Sequence, residues 1–296
     1  MLDAERCRRI LSEGFPGLEV RTVSYFAQGW DYELWEVNDD LLFRFPLRPE
    51  AAEPLRKEAR LLGELAATLS VPVPQPEYVS DGCAAFPLPF FGYRKLNGLP
   101  LDQATLSGQQ RETLARQLAW FLSELHRFPP TRAAELGVPV YSADGWREHY
   151  HDFREEVRRQ VLPMLSDEER AAVEAFWRRF LDDERHFRFR PVLIHADLGL
   201  EHILIDPERT QVTGVIDFAD ARVGDPALDF TGFDVALREK VLAHYELPVD
   251  ETLLFRAHWY WQVGPFYEVI YGLQIRKQEH VEAGLEGIRQ RIVNDK

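Results

Sequence analysis

His195-Ala196-Asp197-Leu198-Gly199-Leu200-Glu201-His202-Ile203-Leu204-Ile205, followed by Gly214-Val215-Ile216-Asp217-Phe218-Ala219-Asp220, is the stretch on which the reading of this chain turns. Short apolar runs, Val192 to Ile194, Ile203 to Ile205 and Val212 to Ile216, alternate with the polar residues and predict short β-strands. Polar side chains at the ends of such strands can be aimed at a ligand by the rigid sheet beneath them. Asp197 and Asp217, 20 residues apart, are expected to converge there. Two carboxylates at ~4 Å repel by roughly 4 kcal/mol in a surface-like dielectric, so their pairing calls for a cation between them. Taken singly, each aspartate reads more readily as the cap of a turn; the joint pattern decides otherwise.

On the N-terminal side, Asp3 to Glu13 has the pattern of a short amphipathic helix, ended by Gly14-Phe15-Pro16-Gly17. Leu18 to Phe26, Tyr32 to Val37 and Leu41 to Phe45 predict an antiparallel meander, and Glu53 to Leu69 a helix with Leu55, Leu61, Leu62 and Leu65 on one side. Val71 to Pro76 carries three prolines and must be extended. A strand pair near Glu77 to Val79 and Phe90 to Leu96 completes a small sheet. After Asn97-Gly98 the pattern turns helical: Arg111 to His126, Trp146 to Leu162, Asp167 to Asp182, and most of Val235 to the C-terminus. The expected class is α+β and bilobal, with a small antiparallel-sheet lobe over residues 1–96, a connector at 93–98, and a larger, mostly helical lobe over 97–296.

The 296 residues include 35 Lys plus Arg and 49 Asp plus Glu, a formal charge of −14, and 45% are hydrophobic. That is ample for a core and speaks against disorder. The negative balance argues against a nucleic acid or an anionic membrane as partner, because phosphate binding needs clustered Lys and Arg. It leaves a merely soluble protein or one with a cationic ligand. Met1 to Arg6 lacks a basic segment leading into an apolar stretch, so no secretory signal is expected. The apolar run Ala84 to Phe91 is broken by Pro87 and Pro89 and is too short to span a bilayer. Cys7 and Cys83 have no disulfide or zinc spacing. A cytoplasmic location follows as the expectation.

The pattern H-x-D-x-x-x-x-N followed by D-F-G is a kinase signature, in which the first Asp accepts the substrate hydroxyl proton and the second holds magnesium. His195-Ala196-Asp197, four residues, His202 and then Asp217-Phe218-Ala219 match its spacing, with His in place of Asn and Ala in place of Gly. With Leu42-Phe43-Arg44-Phe45-Pro46, Phe121-Leu122-Ser123-Glu124-Leu125-His126, Gly224-Asp225-Pro226-Ala227-Leu228-Asp229-Phe230 and Tyr267-Glu268-Val269-Ile270-Tyr271-Gly272, the chain resembles the aminoglycoside and macrolide phosphotransferase superfamily. The members it looks most like are the aminoglycoside 2″-phosphotransferases, which share the protein-kinase fold. The resemblance implies Asp197 as catalytic base and Asp217 as principal Mg2+ ligand. It makes His202 a second metal-side residue, although magnesium prefers oxygen, so His202 is equally suited to bond a phosphate or orient Asp197. His195 reads as structural. Arg44 stands where kinases carry a Lys on the third strand, and Glu58 is its natural partner on the next helix; Arg for Lys is not a conservative exchange. The hairpin Gln28 to Glu33 lies where a phosphate-covering loop is expected. Arg94, Lys95 and Leu96 are expected to offer main-chain groups to the purine of ATP or GTP.

The acceptor is read from charge. Glu201, Asp220 and, by the resemblance, Glu268 are expected near Asp197, and converging carboxylates favour a cationic small molecule, an aminoglycoside first. Leu198-Gly199-Leu200 is less polar than such an acceptor suggests and fits a macrolide; another hydroxylated metabolite is the further alternative. Asp225 before Pro226 reads as a helix cap, and Asp225 and Asp229 are taken as structural. Two rivals to an active kinase stand beside it. Arg44 and His202 suit a degenerate kinase-like binding protein. A metal hydrolase built on His195, Asp197 and His202 leaves Asp217-Phe218-Ala219 and the N-terminal sheet without a role.

Overall fold

The computed structural model describes residues 2–206, 208 and 210–294. In the first lobe α1 (Ala4–Gly14) precedes β1 (Val23–Gln28), β2 (Tyr32–Val37) and β3 (Leu41–Pro46), then α2 (Ala52–Thr68), β4 (Pro76–Ser80) and β5 (Phe90–Arg94). The strands form one antiparallel sheet in the order β1-β2-β3-β5-β4. The first strand begins at Val23 rather than at Leu18. Asn38 holds the residues before it outside the ladder, donating to the Glu19 carbonyl at 2.7 Å and accepting from the Arg21 N–H at 2.8 Å.

Alternation along β3 directs its side chains. Leu41, Phe43 and Phe45 pack with Cys7, Ile10 and Leu11 of α1, whereas Leu42 packs with the α2 side, including Leu55 and Leu62. Arg44 is in phase with Leu42 and therefore points to α2. Gly92 faces Phe43 across the ladder, and a Cβ on it would lie 2.4 Å from the Phe43 ring. Glycine is what allows that ring to cross β5.

The second lobe contains β6 (Leu99–Pro100), α3 (Gly108–Leu125), α4 (Pro130–Glu135), α5 (Ala143–Gln160), α6 (Asp167–Leu181), β7 (Val192–Ile194), β8 (Ile203–Asp206), β9 (Gln211–Val215), β10 (Arg222–Gly224), α7 (Val235–His244), α8 (Leu253–Ile275) and α9 (Gln278–Ile288). Helix α3 starts at a reciprocal Ser107–Gln110 capping box, and its predicted stripe of Leu114, Leu118, Phe121, Leu122 and Leu125 is buried. The expected β island is present as the antiparallel pair β7–β10 and the sheet β6-β8-β9. Trp259, Tyr260 and Phe266 of α8 join the core with Trp146, Trp177 and Phe180, while Tyr267 of the same helix is exposed. The Lys95 N–H, in the connector, donates to the Asp40 carbonyl, and between the lobes the Val215 N–H donates to that of Pro72. Among the described residues, no helix is long and apolar enough to cross a membrane.

Candidate active site

The loop after β7 is held from behind. Asp229, fully buried, accepts from the His195 N–H at 2.9 Å and the Ala196 N–H at 2.8 Å. The ring of His126 lies 3.1 Å from the same carboxylate through Nε2 and 2.6 Å from the Tyr245 hydroxyl through Nδ1. His195 is buried, with its Nε2 3.0 Å from the Ile216 carbonyl and its Nδ1 accepting from the Asp197 N–H at 3.3 Å. The Nε2 is therefore the protonated nitrogen, donating to a carbonyl that precedes Asp217. Ala196 has φ 70° and Asp217 φ 68°, left-handed conformations that cost about 1–2 kcal/mol for residues with a Cβ. The hydrogen bonds to Asp229 hold the first of these in place. Asp225 is structural as well: it receives two bonds from buried Arg256, at 2.6 and 3.0 Å, and one from the Tyr260 hydroxyl at 2.7 Å.

These supports bring Asp197, His202 and Asp217 to one place. The Nδ1 of His202 donates to the Asp197 carbonyl at 2.8 Å and lies 3.7 Å from its carboxylate, while Nε2 lies 4.0 Å from Oδ2 of Asp217. Desolvation raises the Asp197 carboxyl above the usual carboxylate value, with His202 and His195 opposing the rise. Burial alone would raise Asp217 too, but the charge and hydrogen bond of Arg44 hold it down at about 2. The two carboxylates thus differ: one is drawn toward accepting a proton, the other is fixed as an anion.

Arg44 reaches both lobes. Its Nη1 bonds Glu58 at 2.8 Å and its Nη2 bonds Asp217 at 2.7 Å, with the guanidinium 4.3 Å from the centre of the Tyr32 ring. Burial pushes the Glu58 carboxyl up to about 7, and Arg44 opposes that rise. Sequence reasoning missed Lys57, whose ammonium donates to the Ala219 carbonyl at 2.5 Å and to that of Ala221 at 3.3 Å, tying α2 to the residues after Asp217. A signal existed: Lys57, Leu61 and Leu65 share i, i+4, i+8 spacing, so a lysine interrupts the apolar stripe of α2.

The remaining candidates are more dispersed. Arg94 pairs with Asp40 at 2.9 Å and Glu77 at 3.1 Å, and Lys95 with Glu36 at 2.7 Å. Because the Lys95 N–H is already bonded to Asp40, that donor does not face a purine. Leu96 lies over Gly214 of β9, where a Cβ would come within 2.7 Å of its side chain. Glu201 is exposed, with its carboxylate folded against Gly199. Asp220 is exposed and pairs with Arg222 at 2.9 Å. Glu268 pairs with His280 at 2.5 Å. Tyr267, on the same helix, stacks on Phe153 with ring centres 4.1 Å apart.

Comparison with known proteins bears directly on this geometry. The model of the phosphotransferase enzyme family matches residues 22–249. The chain belongs to that family. Viomycin phosphotransferase of Streptomyces vinaceus is 29% identical over 198 residues, covering 65% of this chain and 66% of that protein. The complex of the APH(2″)-IIIa kinase with GDP and kanamycin is 29% identical, with a TM-score of 0.88 over 96% of this chain and 97% of that one. A macrolide 2′-phosphotransferase from Brachybacterium faecium, 23% identical, shares the fold with a TM-score of 0.74 over 97% of each chain. The molecule is a small-molecule phosphotransferase, and its two lobes are those of the kinase-like fold.

A magnesium ion is implied by this family, and the donor set fits one. Arg44 occupies Oδ1 of Asp217, which leaves Oδ2 as a hard oxygen donor facing His202. Since Nδ1 of His202 donates its proton to a carbonyl, a neutral ring presents a lone pair at Nε2, toward that same oxygen. Among the described residues, no three Asp, Glu, His or Cys side chains cluster tightly enough to hold a metal by themselves. One carboxylate with substrate phosphates and water is the usual way in which magnesium is held at such sites.

Proposed function

We propose that this phosphotransferase moves the γ-phosphate of ATP or GTP to a hydroxyl of an aminoglycoside, acting in the cytoplasm. The observation that carries the reading is the meeting of Asp197, His202 and Asp217 beside the Arg44–Glu58 pair. Asp197 is the group that orients the acceptor hydroxyl and takes its proton, and its raised pKa brings proton affinity to that task. His202 anchors the Asp197 main chain and faces Asp217. Arg44, held charged between two carboxylates, stands where the β-strand lysine of kinases meets phosphate oxygens. Asp217 would hold Mg2+, with His202 beside it, and the bound ion would neutralise charge on the phosphates. Glu201, Asp220 and Glu268 are proposed contacts for acceptor amines, and the main chain of the connector Arg94 to Leu96, apart from the Lys95 N–H, for the base. The residue spans 1–96 and 97–296 serve as nucleotide lobe and catalytic lobe.

A second reading has its own support. Asp220 already pairs with Arg222 and Glu268 is bonded to His280, and exposed Tyr267 adds an aromatic face. An acceptor with one amino group and a broad apolar face, such as a macrolide, suits that wall. Incubation with aminoglycoside and macrolide panels, with ATP and GTP in separate reactions, tests both by mass spectrometry. Phosphorylated aminoglycoside is the expected product. A product from macrolides alone overturns the first reading in favour of the second, and nucleotide binding without any product favours a binding protein.

A further inference from the structure

The two ends of the cleft between the lobes are not alike. At one end the chain itself joins the lobes, and the Lys95 N–H bonds Asp40 in the turn between β2 and β3. The turn between β1 and β2 lies at the opposite end of the six-residue strand β2, roughly 17–20 Å away at the rise of an extended strand. Gly29 closes that turn by donating to the Tyr32 carbonyl at 2.9 Å. From its tip Trp30 reaches across to α8 and stacks face to face on Tyr271, with ring centres 3.7 Å apart and planes 5° from parallel. Tyr271 in turn meets the edge of His280 at 5.3 Å, and His280 is bonded to Glu268 one turn back on α8. Beside the indole, Asp31 pairs with Arg48.

We propose that the Trp30–Tyr271 stack is a latch that closes the cleft at the end opposite the connector and couples the nucleotide-covering hairpin to the acceptor helix. The inference rests on the nucleotide placement given under Proposed function. Its basis is geometric: with the connector at one end and the stack at the other, the lobes form a ring around the site. A ligand held within the ring leaves either past its sides or by parting the two rings. Trp30 is 56% exposed, so the stack, and not burial in a core, is what holds the indole in place. Trp30 and Tyr271 are positioning residues in this scheme.

The test uses the whole enzyme and a fluorescent guanosine or adenosine diphosphate as probe. Trp30→Ala and Tyr271→Ala are each expected to speed release of the probe by roughly two- to tenfold, the factor an aromatic pair is worth. The double variant should be no faster than either single one, since both remove the same contact, and Trp30→Phe should restore slow release. Hydrogen exchange at residues 27–33 of the ligand-free protein supplies a readout independent of nucleotide. Trp30→Ala should lose protection there and Trp30→Phe should keep it. Unchanged release, or additive effects in the double variant, overturns the latch, as does unchanged exchange. If no diphosphate binds while exchange responds as stated, the latch stands and the nucleotide reading falls.

Discussion

Replacing Arg44 with methionine removes the guanidinium that bonds both Glu58 and Asp217. Glu58 is 1% exposed and its bond to Arg44 is 2.8 Å long, so this is the breaking of a buried pair, worth about 3–5 kcal/mol. At about 2–4 °C per kcal/mol for a chain of this class, the melting temperature should fall by roughly 6–20 °C. The loss should depend on pH in a definite direction. With a folded pKa of about 7, above the ordinary carboxylate value, Glu58 binds its proton more tightly in the native state. Its contribution is fully present below the unfolded pKa and is lost as pH rises through about 7. Without Arg44 the folded value climbs further, so the variant goes on losing stability at pH values where the parent has levelled off. The gap between the two should therefore be smaller near pH ~5.5 than near pH ~8.5, because the share owed to Asp217, which Arg44 holds at about 2, is lost at both. Thermal unfolding of both proteins at these two pH values measures it. Arg44→Met combined with Glu58→Leu should recover much of the loss, since a paired charge exchanged for packed apolar groups is close to neutral. A gap under ~2 °C at pH ~8.5, less than a single kcal/mol at that conversion, or one equal at both pH values, refutes the reasoning.

Asp197→Asn should lower kcat by about 10²–10⁴-fold, the usual share of a general base, while nucleotide affinity measured by calorimetry stays close to that of the parent. The rate of the parent should fall as pH drops through the raised pKa of Asp197; His202→Asn removes an influence that lowers that pKa, so the acid limb of kcat against pH should move upward. Lys57→Met frees the Ala219 and Ala221 carbonyls, and steady-state kinetics should show a lower kcat with little change in acceptor KM. Gly232→Ala places a Cβ 2.1 Å from the Leu198 carbonyl, and the displaced catalytic loop should cost at least tenfold in kcat/KM, or about 1.4 kcal/mol, with circular dichroism unchanged.

Much of this architecture was legible because the signals were local. The apolar runs of β2 and β3 and the stripe on α3 follow directly from where apolar residues fall, and the motif spacing singles out Asp197, His202 and Asp217 without reference to anything distant. What stayed hidden depends on contacts between segments far apart in the chain. Asp220 with Arg222 is a local pair, yet nothing in the sequence says whether that carboxylate faces an acceptor or its neighbour. Glu268 is expected near the acceptor by the resemblance, and only the hairpin of α8 and α9 shows that His280 stands beside it. Lys57 lay unnoticed because a helix lysine is ordinarily solvated, and its role appears only when the chain after Asp217 folds back over α2.

The support of the catalytic loop has a consequence for how this molecule can change. Asp229 holds the main chain of His195 and Ala196 from the interior, and its own ties run to His126, just past the end of α3, and onward to Tyr245, with no bond to the outer residues Asp220, Tyr267 or Glu268 among them. Substitutions on those outer faces leave the bracket untouched. On the proposed assignment of those faces to the acceptor, single exchanges there can alter which hydroxyl compound is held while the loop that carries Asp197 keeps its shape.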